Sequence, residues 1–78
     1  NHKIWFEEAQ TVWADHLSEE FYDSDNSEIE DRFIRIGHST AGRTLLVVFC
    51  ERQSGDIIRI ISARRASKKE RTDYEKGI

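Results

Sequence analysis

The sequence predicts an α+β domain: an antiparallel sheet of three to four strands with helices packed on one side. Three observations carry this. A helical apolar stripe lies near the start. Three strand-like runs follow, separated by two glycine-bearing turns. A capping pattern then introduces a charged helical segment. Helix, three strands and helix in that order describe a meander with flanking helices, and no internal repeat interrupts it.

The stretch IWFEEAQTVWAD places Phe6, Ala9 and Trp13 on one helical stripe, with Trp5 and Val12 beside them. Both tryptophans are expected in the core, and the early glutamates suit a helix N-terminus. EEFYDSDNSEIED is acidic and turn-rich, with a loop expected over residues 23–27. It lacks the glycine and terminal glutamate of a calcium loop, so a solvated connection is the simpler reading. RFIRIGH alternates, with Phe33 and Arg35 on one face and Ile34 and Ile36 on the other. STAGR is a turn. TLLVVFCE is continuously apolar, as a central strand covered on both faces would be. RQSGD is a second turn with Ser54-Gly55 at its tip, and IIRIISAR is the third strand. Ser67 and Glu70 form a capping box, opening a helix over residues 68–76 that Gly77 would stop. Its one large apolar anchor is Tyr74, with Ile78 just beyond, so loose docking is expected.

Seventy-eight residues at 37% hydrophobic and 35% charged make one small, marginally stable domain. The single cysteine, Cys50, excludes an internal disulfide. With no signal-peptide pattern and no long apolar run, a cytoplasmic protein is expected. The chain begins at Asn1 and holds no Met, which predicts that its natural beginning is missing. The net charge of −3 conceals a division. Residues 1–31 carry ten acids and one lysine, whereas residues 32–78 carry eleven Lys/Arg and five acids. The second part can therefore present a positive field although the whole chain is acidic. The three histidines and one cysteine have no paired metal-ligand spacing, and no glycine-rich phosphate loop appears. No metal and no cofactor is expected.

FEEAQTVWAD, DRFIRIGHSTAGRTLLVVFCER and IIRIISARRASKKERTDYE together resemble the BrnT family, the ribonuclease toxins of type II toxin–antitoxin modules. The similarity runs from about His2 to Glu75. It implies a RelE-like fold and a single toxin domain over 1–78. It also implies that a strand and helix normally precede FEEA. The family tends to show Lys-His before FEEA. Here Asn1-His2 keeps only the histidine. The implied activity is that of an endoribonuclease toxin neutralised by a cognate antitoxin. The implied partner is a BrnA-like ribbon-helix-helix antitoxin, in a two-to-two assembly that reaches DNA only through the antitoxin. The contrasting reading, motivated by the acidic first half, is a non-catalytic protein-interaction module derived from such a toxin.

Metal-free RNA cleavage through 2′-hydroxyl attack asks for guanidinium groups on the phosphate, a proton carrier and an aromatic ring to stack on a base. The residues that offer these are Glu51, Arg59, Arg64, Tyr74 and His2 for catalysis. Arg52, Arg65, Lys68, Lys69 and Arg71 would hold RNA. Glu51 is equally readable as a salt-bridge partner of Arg52 or Arg59, and Tyr74 as a packing anchor. Ideal parity places Ile57, Arg59, Ile61, Ala63 and Arg65 on one open face and Arg64 on the other. An even hairpin loop brings Cys50 and Arg52 to the Arg59 face; an odd loop brings Glu51 instead. His16 and His38 are read as surface residues, and Cys50 as a small buried hydrophobe.

Overall fold

A computed structural model describes residues 4–26, 30–52 and 56–76. The expectations for His2, Ser54-Gly55, Gly77 and Ile78 lie outside the described residues. The chain forms α1 (Phe6–Gln10), which tightens into a 3-10 turn over Thr11–Ala14, then β1 (Glu19–Tyr22) and a second 3-10 turn over Ser24–Asn26. β2 (Arg32–His38), β3 (Thr44–Arg52), β4 (Ile57–Arg65) and α2 (Lys68–Lys76) follow. The four strands form one antiparallel sheet in the order β1-β2-β3-β4. The expected α+β class is what the chain adopts. Among the described residues no helix is long and apolar enough to cross a membrane.

β3 sits inside the sheet, and its alternate residues serve different faces. Leu45 and Val47 are fully buried under α1, where they join Ile4, Ala9 and Val12, and Phe49, equally buried, packs against Trp13. Burying one such aliphatic or aromatic side chain contributes on the order of 1.5–3 kcal/mol. A chain of rings, Trp13–Phe49–Phe33–Tyr22, continues this layer toward β1, with centroids 4.9, 5.6 and 5.5 Å apart. Arg35 lies on the same face. Its guanidinium sits 5.0 Å over the Trp13 ring and donates to Ser18 Oγ (2.7 Å) and Glu20 Oε1 (2.5 Å). Among the described residues no helix covers most of the opposite face, which carries Ile34, Leu46 and Val48. There α2 crosses one end and inserts Tyr74 beside Ile36 and Leu46. The two helices thus meet different faces, a refinement of the one-sided packing expected.

Three further expectations change. Trp5 is 64% exposed and Phe6 48%, rather than core. α1 lasts only five residues before the 3-10 turn, so Ala9 and Val12 take the inward positions. The acidic connection contains β1, which pairs with β2 although all four of its residues are exposed. Finally, β4 carries a bulge. Phe49 pairs with Ile60 and Val48 with Ser62, leaving Ile61 as the extra residue. The bulge inverts parity beyond it. Arg64, not Arg65, shares the face of Arg59, and Ala63 and Arg65 belong to the α1 side.

Candidate functional site

The β3–β4 hairpin has an even loop: Arg52 pairs with Ile57, leaving four residues between them. Cys50 and Arg52 therefore join Arg59 and Ile57 on the open face, and Glu51 falls opposite with Ile58. Glu51 does not pair with the neighbouring arginines. Glu30 takes that role, accepting from Arg52 Nη2 at 3.2 Å and from Arg59 Nη2. The hydrogen bond from Arg52, then that from the Cys50 thiol, holds the Glu30 carboxyl below the usual range. At this end of the sheet two guanidiniums share one carboxylate, and Arg32 lies across from Cys50. Beside them, Ile57 and Ile58 are exposed on the edge strand.

Arg59 and Arg64 share a face but not a site. Five residues along a strand separate them by about 16 Å. Arg64 forks onto Glu70, with both nitrogens 2.8 Å from carboxylate oxygens. Glu70 also accepts from the Ser67 N–H at 2.8 Å, while Ser67 Oγ accepts from the Glu70 N–H at 3.2 Å. The capping box thus forms as the sequence predicts. Arg64, followed by the Ser67 amide, pushes the Glu70 carboxyl down to about 2. This arginine braces the junction between β4 and α2.

The other end of the sheet assembles a different group of residues. His38, Gly42, Arg43, Thr44, Arg65, Ala66, Arg71 and Glu75 line a polar hollow between the β2–β3 turn and α2. Gly42 has φ +81°, the left-handed conformation that lets the turn close. Ser39 N–H donates to the Arg43 carbonyl (2.8 Å) and Gly42 N–H to the Ser39 carbonyl (2.9 Å). The turn is fastened to α1 because Glu8 accepts from Ser39 Oγ (2.7 Å), from Arg43 Nε (3.0 Å) and from Arg43 Nη2. The Arg43 fork, then Ser39, holds the Glu8 carboxyl low. Among the described residues no carboxylate lies within ion-pair distance of Arg65 or Arg71, although Arg65 contributes to the field that holds Glu8 low.

His38 is more than a surface residue. Its side chain is 40% exposed, with Nδ1 3.8 Å from Asp15 Oδ2 and Nε2 3.8 Å from Glu75 Oε2. Its ring meets Tyr74 edge-on at 5.3 Å. Asp15 Oδ2 accepts from the His38 backbone N–H (2.8 Å) and from the Tyr74 hydroxyl (2.6 Å), while Oδ1 accepts from the Leu17 N–H (3.0 Å). Burial opposes the Asp15 charge, but these donors outweigh it and keep the carboxyl below its ordinary range. Burial, reinforced by Asp15, pushes the Tyr74 phenol upward. Tyr74 is 2% exposed and therefore anchors α2 instead of offering its ring to a base. A Cβ at position 37 would stand 2.7 Å from Ser18 Cβ and 3.1 Å from Asp15 Oδ2, so Gly37 is what permits this approach.

Of the residues singled out from sequence, then, the hollow gathers Arg65 and Arg71. Lys68 and Lys69 are exposed on α2, with Lys69 paired to Asp73 at 3.0 Å. Arg52 and Arg59 lie at the far end. Sequence reasoning missed His38, Arg43 and Glu75, and Asp15 behind them. The clue to Arg43 was available, since it follows the one glycine of a turn between two strands. Asp15 is 23 residues from His38 and had no such clue.

Residues 1–70 match the model of the family described as "Ribonuclease toxin, BrnT, of type II toxin-antitoxin system". No curated protein matches the chain.

Proposed function

The chain belongs to the BrnT family of type II toxin–antitoxin ribonuclease toxins, and from that premise we propose that it cuts RNA without a metal ion, the 2′-hydroxyl attacking the adjacent phosphate. The observation that carries this reading is the hollow in which Arg65 and Arg71 lie beside His38 and Arg43. Guanidiniums suit the task because a planar fork meets two phosphate oxygens and stays charged at every working pH. Charge developing on the non-bridging oxygens is then met by fixed donors in a partly enclosed site. The exposed cations of α2 draw in the flanking backbone phosphates.

A BrnA-like ribbon-helix-helix antitoxin neutralises the toxin. It covers the open sheet face, where Phe21 and Ile57 are exposed beside Leu46 and Val48. An antitoxin with acidic and apolar side chains would meet both the apolar face and the arginines at its end. A two-to-two complex, with DNA reached through the antitoxin, follows from the dimeric nature of such antitoxins.

The test is incubation of the protein with a labelled single-stranded RNA in excess chelator. Fragments ending in 2′,3′-cyclic phosphate are expected. Cleavage abolished by chelator and restored by a divalent metal would sink the metal-free mechanism. Tight antitoxin binding with no cleavage under any condition would favour the non-catalytic interaction reading. Footprinting of Leu46, Ile57 and Arg59 with and without antitoxin checks the covered face.

A further inference from the structure

We propose that His38 and Glu75 are the acid and base of the cleavage step, with Asp15 and Tyr74 as the positioning residues that hold the imidazole. The assignment rests on the ribonuclease reading and names residues that the family match does not. The two side chains face each other across 3.8 Å at the lip of the hollow, and both are accessible, at 40% and 51% exposure. A substrate phosphate drawn in by Arg65 and Arg71 would lie next to both groups.

The proton balance closes with this pair. Glu75 begins as the carboxylate and His38 as the imidazolium. Glu75 accepts the 2′-hydroxyl proton as the O2′–P bond forms. The P–O5′ bond breaks, and His38 Nε2–H gives its proton to the departing 5′-oxygen. The products are a 2′,3′-cyclic phosphate and a 5′-hydroxyl. Glu75 is then protonated and His38 neutral. Transfer across the gap through a solvent molecule restores both.

The imidazole is placed for this role from every side. Asp15 meets Nδ1 from the end of the 3-10 turn after α1 and grips the His38 backbone N–H. Tyr74 packs its ring edge and ties Asp15 to α2. Arg43 from the β2–β3 turn, Arg65 from β4, and Arg71 and Glu75 from α2 complete the charged surroundings. Nδ1 is turned to the Asp15 carboxylate and Nε2 to Glu75 at the lip of the hollow, so the proton to be given up lies on the substrate side of the ring.

The experiment measures cleavage of a fluorescein-labelled 20-nucleotide RNA in chelator from pH 4.5 to 9. In parallel, the His38 ring protons are followed by NMR on titration with the uncleavable 2′-deoxy version of that oligonucleotide. The wild type is expected to give a bell-shaped rate profile. His38→Ala and Glu75→Gln are each expected to lose about 100-fold or more. Glu75→Gln should flatten the acid limb and His38→Ala the alkaline limb, and the deoxy strand should shift the His38 resonances. Tyr74→Phe, expected to lose about tenfold, should lower kcat with KM unchanged and leave both limbs in place. Wild-type rates in folded His38→Ala or Glu75→Gln protein would overturn the assignment and leave the ribonuclease reading intact. An unmoved His38 resonance at saturating deoxy strand would overturn it even in a protein that cleaves. No binding and no cleavage by the wild type would overturn both.

Discussion

The two ends of the β3–β4 hairpin carry the same kind of side chain in opposite states. At the Arg52 end, two guanidiniums converge on Glu30, and their surroundings are the exposed isoleucines of an edge strand. At the Arg65 end, Arg43 is spent on Glu8 and Arg64 on Glu70, while Arg65 and Arg71 have no ion-pair partner among the described residues and lie beside a half-exposed histidine. Cation density is similar at both ends, so density alone does not decide which end holds the proposed phosphate site. The two ends differ in whether a carboxylate pairs with the guanidiniums, and in whether the proposed proton carriers stand within reach.

The largest expected effect tests that distinction directly. Arg65→Ala and Arg71→Ala should each lower RNA cleavage about 100-fold, the scale of removing one transition-state donor, whereas Arg59→Ala should stay within about threefold. Rates on one RNA under one buffer decide it. A larger loss from Arg59→Ala than from Arg65→Ala would reverse the roles of the two ends.

Next in size is Gly37→Ala. Its added methyl meets Ser18 Cβ at 2.7 Å and the fully buried Val12 Cγ1 at 3.0 Å. A cost of about 1–3 kcal/mol is expected, read as a melting temperature lower by several degrees. An unchanged melting temperature would show that the Asp15 end is looser than its contacts imply.

Tyr74→Phe removes the donor to Asp15 and should destabilise by about 1 kcal/mol. The phenol's folded pKa lies above its ordinary 10. Its contribution is therefore complete below pH 10 and declines as pH rises through the folded value. Denaturant melts of both proteins from pH 8 to 11 should show the difference narrowing only at the alkaline side.

The smallest effect belongs to Glu70→Gln. The Glu70 carboxyl is lowered from 4.5 to about 2, so its stabilisation is complete above pH 4.5 and fades as pH falls toward 2. The Arg64–Glu70 pair is partly solvated, at 56% and 32% side-chain exposure, which limits the gain to about 1 kcal/mol or less. Acid titration of the two proteins should converge near pH 2. A gap that persists there would assign the effect to the cap hydrogen bonds instead of the charge.

Much of this frame was legible in the sequence. β2, the core of β3 and the capping box are local patterns, and each appears where alternation, continuous apolarity or Ser67/Glu70 places it. β1 was not legible. Glu19–Tyr22 buries no face, and its charges are what an edge strand uses to avoid further pairing. The bulge at Ile61 was equally hidden, because parity is a property of two paired strands and not of one. It moved Arg65 to the other face and gave Arg64 to the Arg59 side. The hollow depended on a third kind of information. His38 acquires its meaning from Asp15 and Glu75, which reach it from distant parts of the chain.

Cys50 supplies an internal clock for opening of the Glu30 cover over the sheet face. It is the chain's one cysteine, sits in β3 and is fully buried, with the thiol pushed up by burial and then by Glu30. The thiol projects from the open face and donates to Glu30, so a reagent reaches it when that side-chain cover lifts, and alkylation in native buffer proceeds at the rate or equilibrium of that local opening. Labelling at increasing reagent concentration would then divide the two regimes. A plateau gives the opening rate, and the initial slope gives the fraction of molecules open. Bound antitoxin, if it covers the open face, would slow that clock without touching the sulfur.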